Sequence, residues 1–147
     1  MVNASVEGKT YPETDPFLVG REKIREFALA VQSTSPINLD VFAAQAAGYS
    51  DVVAPPTFAV VIQERSLSSV LADKEADIDF SRVVHGDQRF IHARPIVAGD
   101  ELTSQLTVAS VKTLGAHAMV TFETKIHDAN KQLVCIAIST LVVRGEE

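Results

Sequence analysis

The sequence has no tryptophan, a single cysteine and only 2 methionines, and aromatic residues fill 6% of its 147 positions. With one cysteine, Cys135, no internal disulfide can form, so the core alone must hold the fold. Cys135 lies in the apolar run Val134-Cys135-Ile136-Ala137 and reads as a buried, inert thiol rather than a reactive one. Basic charge is not in excess: 13 Lys and Arg against 19 Asp and Glu leave a net charge of −6. Such a surface repels phosphate backbones, so no nucleic acid is expected as a partner. No apolar run approaches the length of a membrane span. The stretch Met1 to Pro16 is polar, is broken by Gly8, Pro12 and Pro16, and lacks the apolar segment of a signal peptide. A cytoplasmic location is expected. The histidines His85, His92, His117 and His127 share no metal-ligand spacing with a carboxylate or with the cysteine, so neither a metal nor another cofactor is expected.

What is present is an ordinary globular composition, 46% apolar and 22% charged, with enough chain for one core. One domain over 1–147 is expected, with about the first 16 residues extended or irregular. Ile24, Phe27, Ala28 and Val31 recur at helical spacing and predict a helix over 21–32. A short helix is expected from Leu39 to Ala47, ended by Gly48. A longer one should start at Pro56 and run to Ala72, with Val60, Val61, Leu67, Val70 and Leu71 as its apolar stripe. The period then changes. Residues 83–94, 101–113, 117–128 and 132–144 read as strands joined by turns. The last is nearly continuous in apolar residues, as in a central strand covered on both faces. Helices followed by an antiparallel meander make an α+β fold. The long helix is too apolar to lie on a sheet facing water, so the curved sheet should wrap around this central helix, which is the hot-dog arrangement.

Several motifs resemble one superfamily. His85-Gly86-Asp87-Gln88-Arg89-Phe90, then Arg94 to Leu102 with its Gly99-Asp100 turn, is similar to the signature of MaoC-like hydratases and dehydratases. Ala54-Pro55-Pro56-Thr57-Phe58 at the head of the long helix and the opening Val19 to Ala28 match the same pattern. The likeness spans about 10–145 and is nearest to the accessory subunit of mycolate-pathway (3R)-hydroxyacyl-carrier-protein dehydratases. Catalytic members carry Asp-x-Asn-Pro-aliphatic-His before the second helix. Here the stretch is Ser33-Thr34-Ser35-Pro36-Ile37-Asn38, with Ser33 at the Asp position and Asn38 at the His position. Dehydration needs a base for the α-proton and an acid for the leaving oxygen. Neither Ser33 nor Asn38 titrates near neutrality, so no catalytic residue is expected in this chain.

The resemblance therefore implies an accessory subunit. It would pair, as a hetero- or homodimer, with a hot-dog chain that supplies Asp and His, and act on an acyl-carrier-protein or acyl-CoA thioester. Thr57 and Phe58, whose N–H groups open the long helix, are expected to hold a thioester oxygen or, as the alternative, to donate to a loop carbonyl or water. Val61 should line the acyl path together with Val60 and Leu67, and Gln88 should lie at the dimer seam, in reach of substrate. His85 and His92, seven apart on one strand, should point to opposite faces. A non-catalytic homodimer that binds acyl thioesters is the alternative, followed by a thioesterase using Asp51 or Glu64.

Overall fold

The computed structural model describes residues 1–146. After a short strand β1 (Phe17–Leu18), helix α1 (Arg21–Ala30) buries Ile24 and Ala28, and Phe27 meets Phe58 edge-on with ring centroids 5.4 Å apart. The second helix is shorter than its alanine content suggests. Pro36–Asn38 forms one 3-10 turn, and α2 (Val41–Ala46) begins after Asp40, whose side chain accepts the Phe42 N–H at 3.0 Å. An aspartate cap starts a helix where its oxygen meets an orphan N–H, so Leu39 is left in the turn. Gly48 then adopts φ +97, and the N–H groups of Gly48 and Tyr49 donate to the carbonyls of Gln45 and Ala44. This closure needs a left-handed residue, which glycine supplies without strain. A 3-10 turn at Pro56–Phe58 leads into α3 (Ala59–Ala72).

The remaining strands are β2 (Val83–His92), β3 (Glu101–Leu114), β4 (His117–His127) and β5 (Leu133–Val143). All pairings are antiparallel and the order is β1-β3-β4-β5-β2. The sheet curls around α3, which packs on β3, β4 and β5. The fold is α+β, and its plan is the hot-dog one read from element order. β5 lies inside the sheet as expected, yet its burial alternates: Cys135, Ala137, Ser139 and Leu141 are buried, while Ile136, Ile138 and Thr140 are half-buried on the convex side. Its continuous apolar run thus reflects one closed face and one partly covered face. The thiol of Cys135 is fully buried, and loss of hydration raises its pKa to about 11.

The stripe that α3 buries is offset from the expected one. Ala59, Ile62, Gln63, Ser66 and Val70 face the sheet, Val60, Val61 and Leu67 flank them half-buried, and Leu71 is exposed. Small and polar side chains at the centre of that face let the helix sit close to the strands. They form part of a belt with Ser104, Thr124 and Ser139, all buried, which crosses the core at mid-helix. Apolar residues on either side make two clusters, one around Phe58, Ile62, Leu102 and Ile126, the other around Val70, Leu106, Phe122 and Leu141. Ser66 Oγ donates to the Gln63 carbonyl at 2.7 Å, and Ser104 Oγ to the Ile62 carbonyl at 3.3 Å. Gln88 Nε2 on β2 donates to Gln63 Oε1 at 2.9 Å.

The N-terminal segment is docked along the outer edge of β3. Backbone bonds link Gly8 and Lys9 with Val108, Tyr11 with Leu106, and Thr14 with Ser104. Val2, Val6 and Tyr11 are buried there. Asp73, just beyond α3, ties this segment down by accepting from Lys9 Nζ and Tyr11 Oη, each at 2.7 Å. These donors hold the Asp73 carboxyl below its ordinary pKa, led by Lys9, while burial first and Asp73 second push the Tyr11 phenol up to about 12. No helix among the described residues is long and apolar enough to cross a membrane.

The belt generates two predictions. Gln63→Ala removes the shortest bond of the Gln88 amide and leaves it the longer contacts to Arg89 and His85, which should cost about 1 kcal/mol, whereas Gln63→Leu combined with Gln88→Leu should recover most of that loss. Urea unfolding of the single and double variants measures the coupling, and additive losses would contradict it. Thr124 Oγ1 is the buried side-chain polar atom with no hydrogen-bond partner among the described residues. The near-isosteric Thr124→Val should therefore raise stability by about 1 kcal/mol, seen as a higher urea midpoint with an unchanged slope.

Candidate functional site

Three loops enclose a cavity of about 540 Å³, formed by residues 35–38, 53–56 and 92–96. Backbone bonds lace them together: Val53 N–H to Ile37 (2.9 Å), Ala54 N–H to Ile96 (2.8 Å) and Ala98 N–H to Val52 (3.0 Å). Asn38 projects into this place and is 6% exposed. Its Nδ2 donates to the Val53 carbonyl at 2.6 Å, and its Oδ1 accepts from Ser33 Oγ at 2.7 Å. The two positions read as replacing an acid–base pair are thus brought into contact. Both amide ends are engaged, so the pair serves as a polar tie between two loops and has no proton to exchange near neutrality.

His92 faces the same cavity from the end of β2, with Nε2 2.8 Å from the Pro56 carbonyl. A carbonyl can only accept, so this nitrogen carries the hydrogen. Arg94 on the rim is fully committed: it bonds both Asp100 oxygens at 2.8 and 3.0 Å and reaches Asp128 at 3.3 Å. Asp100 raises the Arg94 pKa, and this ion-paired corner fixes the turn that the sequence marks with Gly99-Asp100. No carboxylate is among the residues that line the cavity.

The other expected site residues spread along α3 and β2. Thr57 is exposed at the 3-10 turn. The Phe58 ring is wholly buried, and its N–H donates to the Pro55 carbonyl at 2.9 Å. Val61 is half-buried against the core. Gln88 is half-buried on the inner face of β2, bonded to Gln63. Asp51 is locked by Arg21, with Nε and Nη2 at 2.8–3.1 Å, and that contact holds its carboxyl below the ordinary range. A carboxylate so paired is a poor general base. Glu64 is exposed on the outer face of α3. Among the described residues no three His, Cys, Asp or Glu side chains gather closely enough to hold a metal ion.

His85 and His92 lie on one face, not on opposite faces. His85 pairs with Leu141 and Asp87 with Thr140, so Gly86 is an extra residue in β2 and reverses the alternation after it. A Cβ at Gly86 would meet the Thr140 carbonyl and Val142 Cγ2 at 3.3 Å, which explains why glycine stands there. His85 consequently turns inward, with Nε2 3.2 Å from Ser139 Oγ and 3.3 Å from Gln88 Oε1. Gln63 and Ser139, the partners of this inner row, were not singled out from sequence. A glutamine amid the apolar residues of α3 was the available signal.

Comparison with known proteins agrees with this architecture. Residues 5–137 match the family described as FAS1-like, dehydratase domain region. A UPF0336 protein of Leifsonia xyli subsp. xyli is 62% identical over 99% of this chain and 98% of its own length. A UPF0336 protein of Streptomyces avermitilis is 46% identical over 99% and 97%. Among solved structures, a chain of the C-terminally truncated HadBC (3R-hydroxyacyl-ACP dehydratase) complex from Mycobacterium tuberculosis superposes with TM-score 0.81 at 31% identity, covering 95% of this chain and 99% of that one. A MaoC-like dehydratase superposes with TM-score 0.87 at 31% identity over 96% of this chain but 43% of the other. A curled sheet around α3, the loop-bound cavity at Asn38 and these matches together make the chain a member of the FAS1-like dehydratase-region family, built on the MaoC-like hot-dog fold.

Proposed function

We propose that this chain is the accessory subunit of a (3R)-3-hydroxyacyl-thioester dehydratase. The observation that carries the reading is Asn38: it sits at the loop-bound cavity with both amide ends tied to Ser33 and Val53, where catalysis needs a group that titrates. A second hot-dog chain supplies the Asp and His. Its base takes the α-proton, the C3–O bond breaks as the C2–C3 double bond forms, and the departing oxygen is protonated to leave as water. The thioester is carried by acyl-carrier protein or CoA, and the assembly works in the cytoplasm.

The open edge of the sheet supports the pairing. β2 bonds β5 on one side only, and Val84 and Ile91 on it are about half exposed (49% and 56%). An unpaired strand edge of this length is a template for another strand. The HadBC relative was solved as a complex, and the ChsH1-ChsH2 complex from Mycobacterium tuberculosis has the same fold at TM-score 0.72 and 18% identity. In a β2-to-β2 dimer the acyl group lies along the seam, against Gln88 and the flank of α3 that carries Val61. Thr57 rather than Phe58 offers the helix-start N–H, because that of Phe58 is already bonded to Pro55.

Two outcomes are expected. The pure chain should hydrate trans-2-enoyl-CoA at least about 10²-fold more slowly than its complex with a hot-dog partner bearing Asp-x-Asn-Pro-x-His. Coupled absorbance assays on both samples check this, and comparable turnover by the single chain would defeat the proposal. Val61→Trp in the complex should lower the ratio of long-chain to short-chain turnover, because added volume closes an apolar path before it touches the thioester. An unchanged ratio in a folded, assembled variant would make that flank plain core.

A further inference from the structure

The other end of β2 carries a compact basic notch that the cavity at Asn38 does not use. Its volume is about 400 Å³, and it is lined by Arg82, His117, Arg144 and Gly145. Arg82 and Arg144 are held side by side because the Arg144 N–H donates to the Arg82 carbonyl at 3.0 Å. Arg82 Nη1 donates to the Gly145 carbonyl at 2.9 Å, which turns its guanidinium into the notch. The Gly145 N–H donates to His117 Nδ1 at 3.2 Å, so the outward Nε2 bears the hydrogen of the neutral ring. Arg82 closes the 3-10 turn Phe80–Arg82 just before β2 and Arg144 directly follows β5, and like charges held this close repel one another. Asp79 at 3.5 Å and Glu146 at 4.0 Å offset Arg82 in part, whereas no carboxylate of the described residues lies within bonding range of Arg144. Asp77, Asp79 and Glu146 stand beside these arginines in the adjoining hollow, and Arg82 is engaged by Gly145, Asp79 and Glu146, so the donors left for the oxygens of a phosphate group are those of Arg144 and the His117 Nε2.

We infer that Arg82, His117 and Arg144 form a phosphate-binding site for the pantetheine arm of the thioester, serving the active site of the partner chain. This rests on the accessory-subunit reading and its β2 seam. Distance decides which active site is served. From Val83, next to the notch, to His92, at this chain's own cavity, β2 runs 10 residues, or about 30 Å at ~3.3 Å per residue. Across a symmetric antiparallel seam the notch instead neighbours the far end of the partner's β2, one inter-strand spacing of about 5 Å away. That far end holds the partner's counterpart of the Asn38 cavity, where its Asp and His stand. The phosphate is common to two carriers, being an ester in a pantetheinylated carrier protein and part of the pyrophosphate in CoA. Either one would be gripped by this chain while the partner performs the chemistry.

The first test uses the whole chain alone. Calorimetric and NMR titrations with CoA, 4′-phosphopantetheine and phosphate-free pantetheine should show binding for the first two, with the His117 ring signals moving, and none for the third. Arg144→Glu should weaken CoA at least 10-fold, Arg144→Gln less, with thermal melting as the check that both variants fold. Equal binding of pantetheine and its phosphate, or CoA affinity unaltered in Arg144→Glu, overturns the site. The second test uses the complex with the catalytic partner, assayed with acyl-CoA and with acyl-carrier protein. Arg144→Glu should raise KM at least 5-fold, and by more than it changes kcat, for whichever carrier the notch serves. CoA binding that depends on Arg144, joined to a KM unmoved for both carriers, overturns the placement at the partner's active site. A complex without dehydratase activity counts against the accessory reading, and the titrations with the single chain then decide the notch by themselves.

Discussion

The close seating of α3 on the sheet is what everything else depends on, and small polar side chains make it possible. Ser66 and Gln63 on the helix are buried together with Ser104, Thr124 and Ser139 on three successive strands, and Ser104 Oγ reaches the helix backbone at the Ile62 carbonyl. Each strand changes cluster as it crosses this belt: Leu102 to Leu106 around Ser104, Ile126 to Phe122 around Thr124, Cys135 to Leu141 around Ser139. The helix is thereby gripped by apolar packing toward both ends and by hydrogen bonds at its middle. Buried polar groups that are paired fix one arrangement over its near alternatives, since sliding the helix by a turn would leave them unmatched. This fixed axial position brings Pro56 against His92 and Gln63 against Gln88. The cavity mouth and the inner row of β2 are consequences of the same placement.

Much of this was legible before any coordinates. The order of helices and strands and the helix closure at Gly48 are statements about residue type and spacing. What could not be read are the features that depend on which residues oppose one another. The bulge at Gly86 changes the facing of His85 without altering the look of the strand, because the pattern of β2 is polar on both sides. The offset of the α3 stripe has a similar origin. Hydrophobic periodicity points to Val60, Val61 and Leu67, but the sheet selects the neighbouring face with Ser66 and Gln63, since only small or bonded side chains fit at the crossing. Phe58 was expected near substrate because of its place at a helix start, and the 3-10 geometry instead occupies its N–H internally.

The candidate site is a frame of three loops laced together by their backbones. The loops around Asn38 are tied by backbone bonds from all three segments, and Arg94 braces the rim through Asp100 and Asp128. A frame that rigid has a structural use apart from catalysis: it holds the start of α3 and the end of β2 at fixed separation. Asn38 suits this frame, because a neutral amide is buried at less cost than a charge and bonds to a hydroxyl and a carbonyl at once.

The docked N-terminal segment has a consequence for stoichiometry. Residues 8–14 bond along the outer edge of β3, with Thr10 opposite Thr107, and Asp73 anchors them through Lys9 and Tyr11. One side of the sheet is therefore already closed by the chain itself. A protein whose sheet had two bare edges could add strand to strand without limit and grow into a fibre. With a single bare edge, addition stops after one step, because the newcomer arrives edge first and presents its own sealed side to the outside. Residues 8–14, within the segment expected to be extended or irregular, thus cover the outer edge of β3 and leave β2 as the bare edge of the sheet among the described residues.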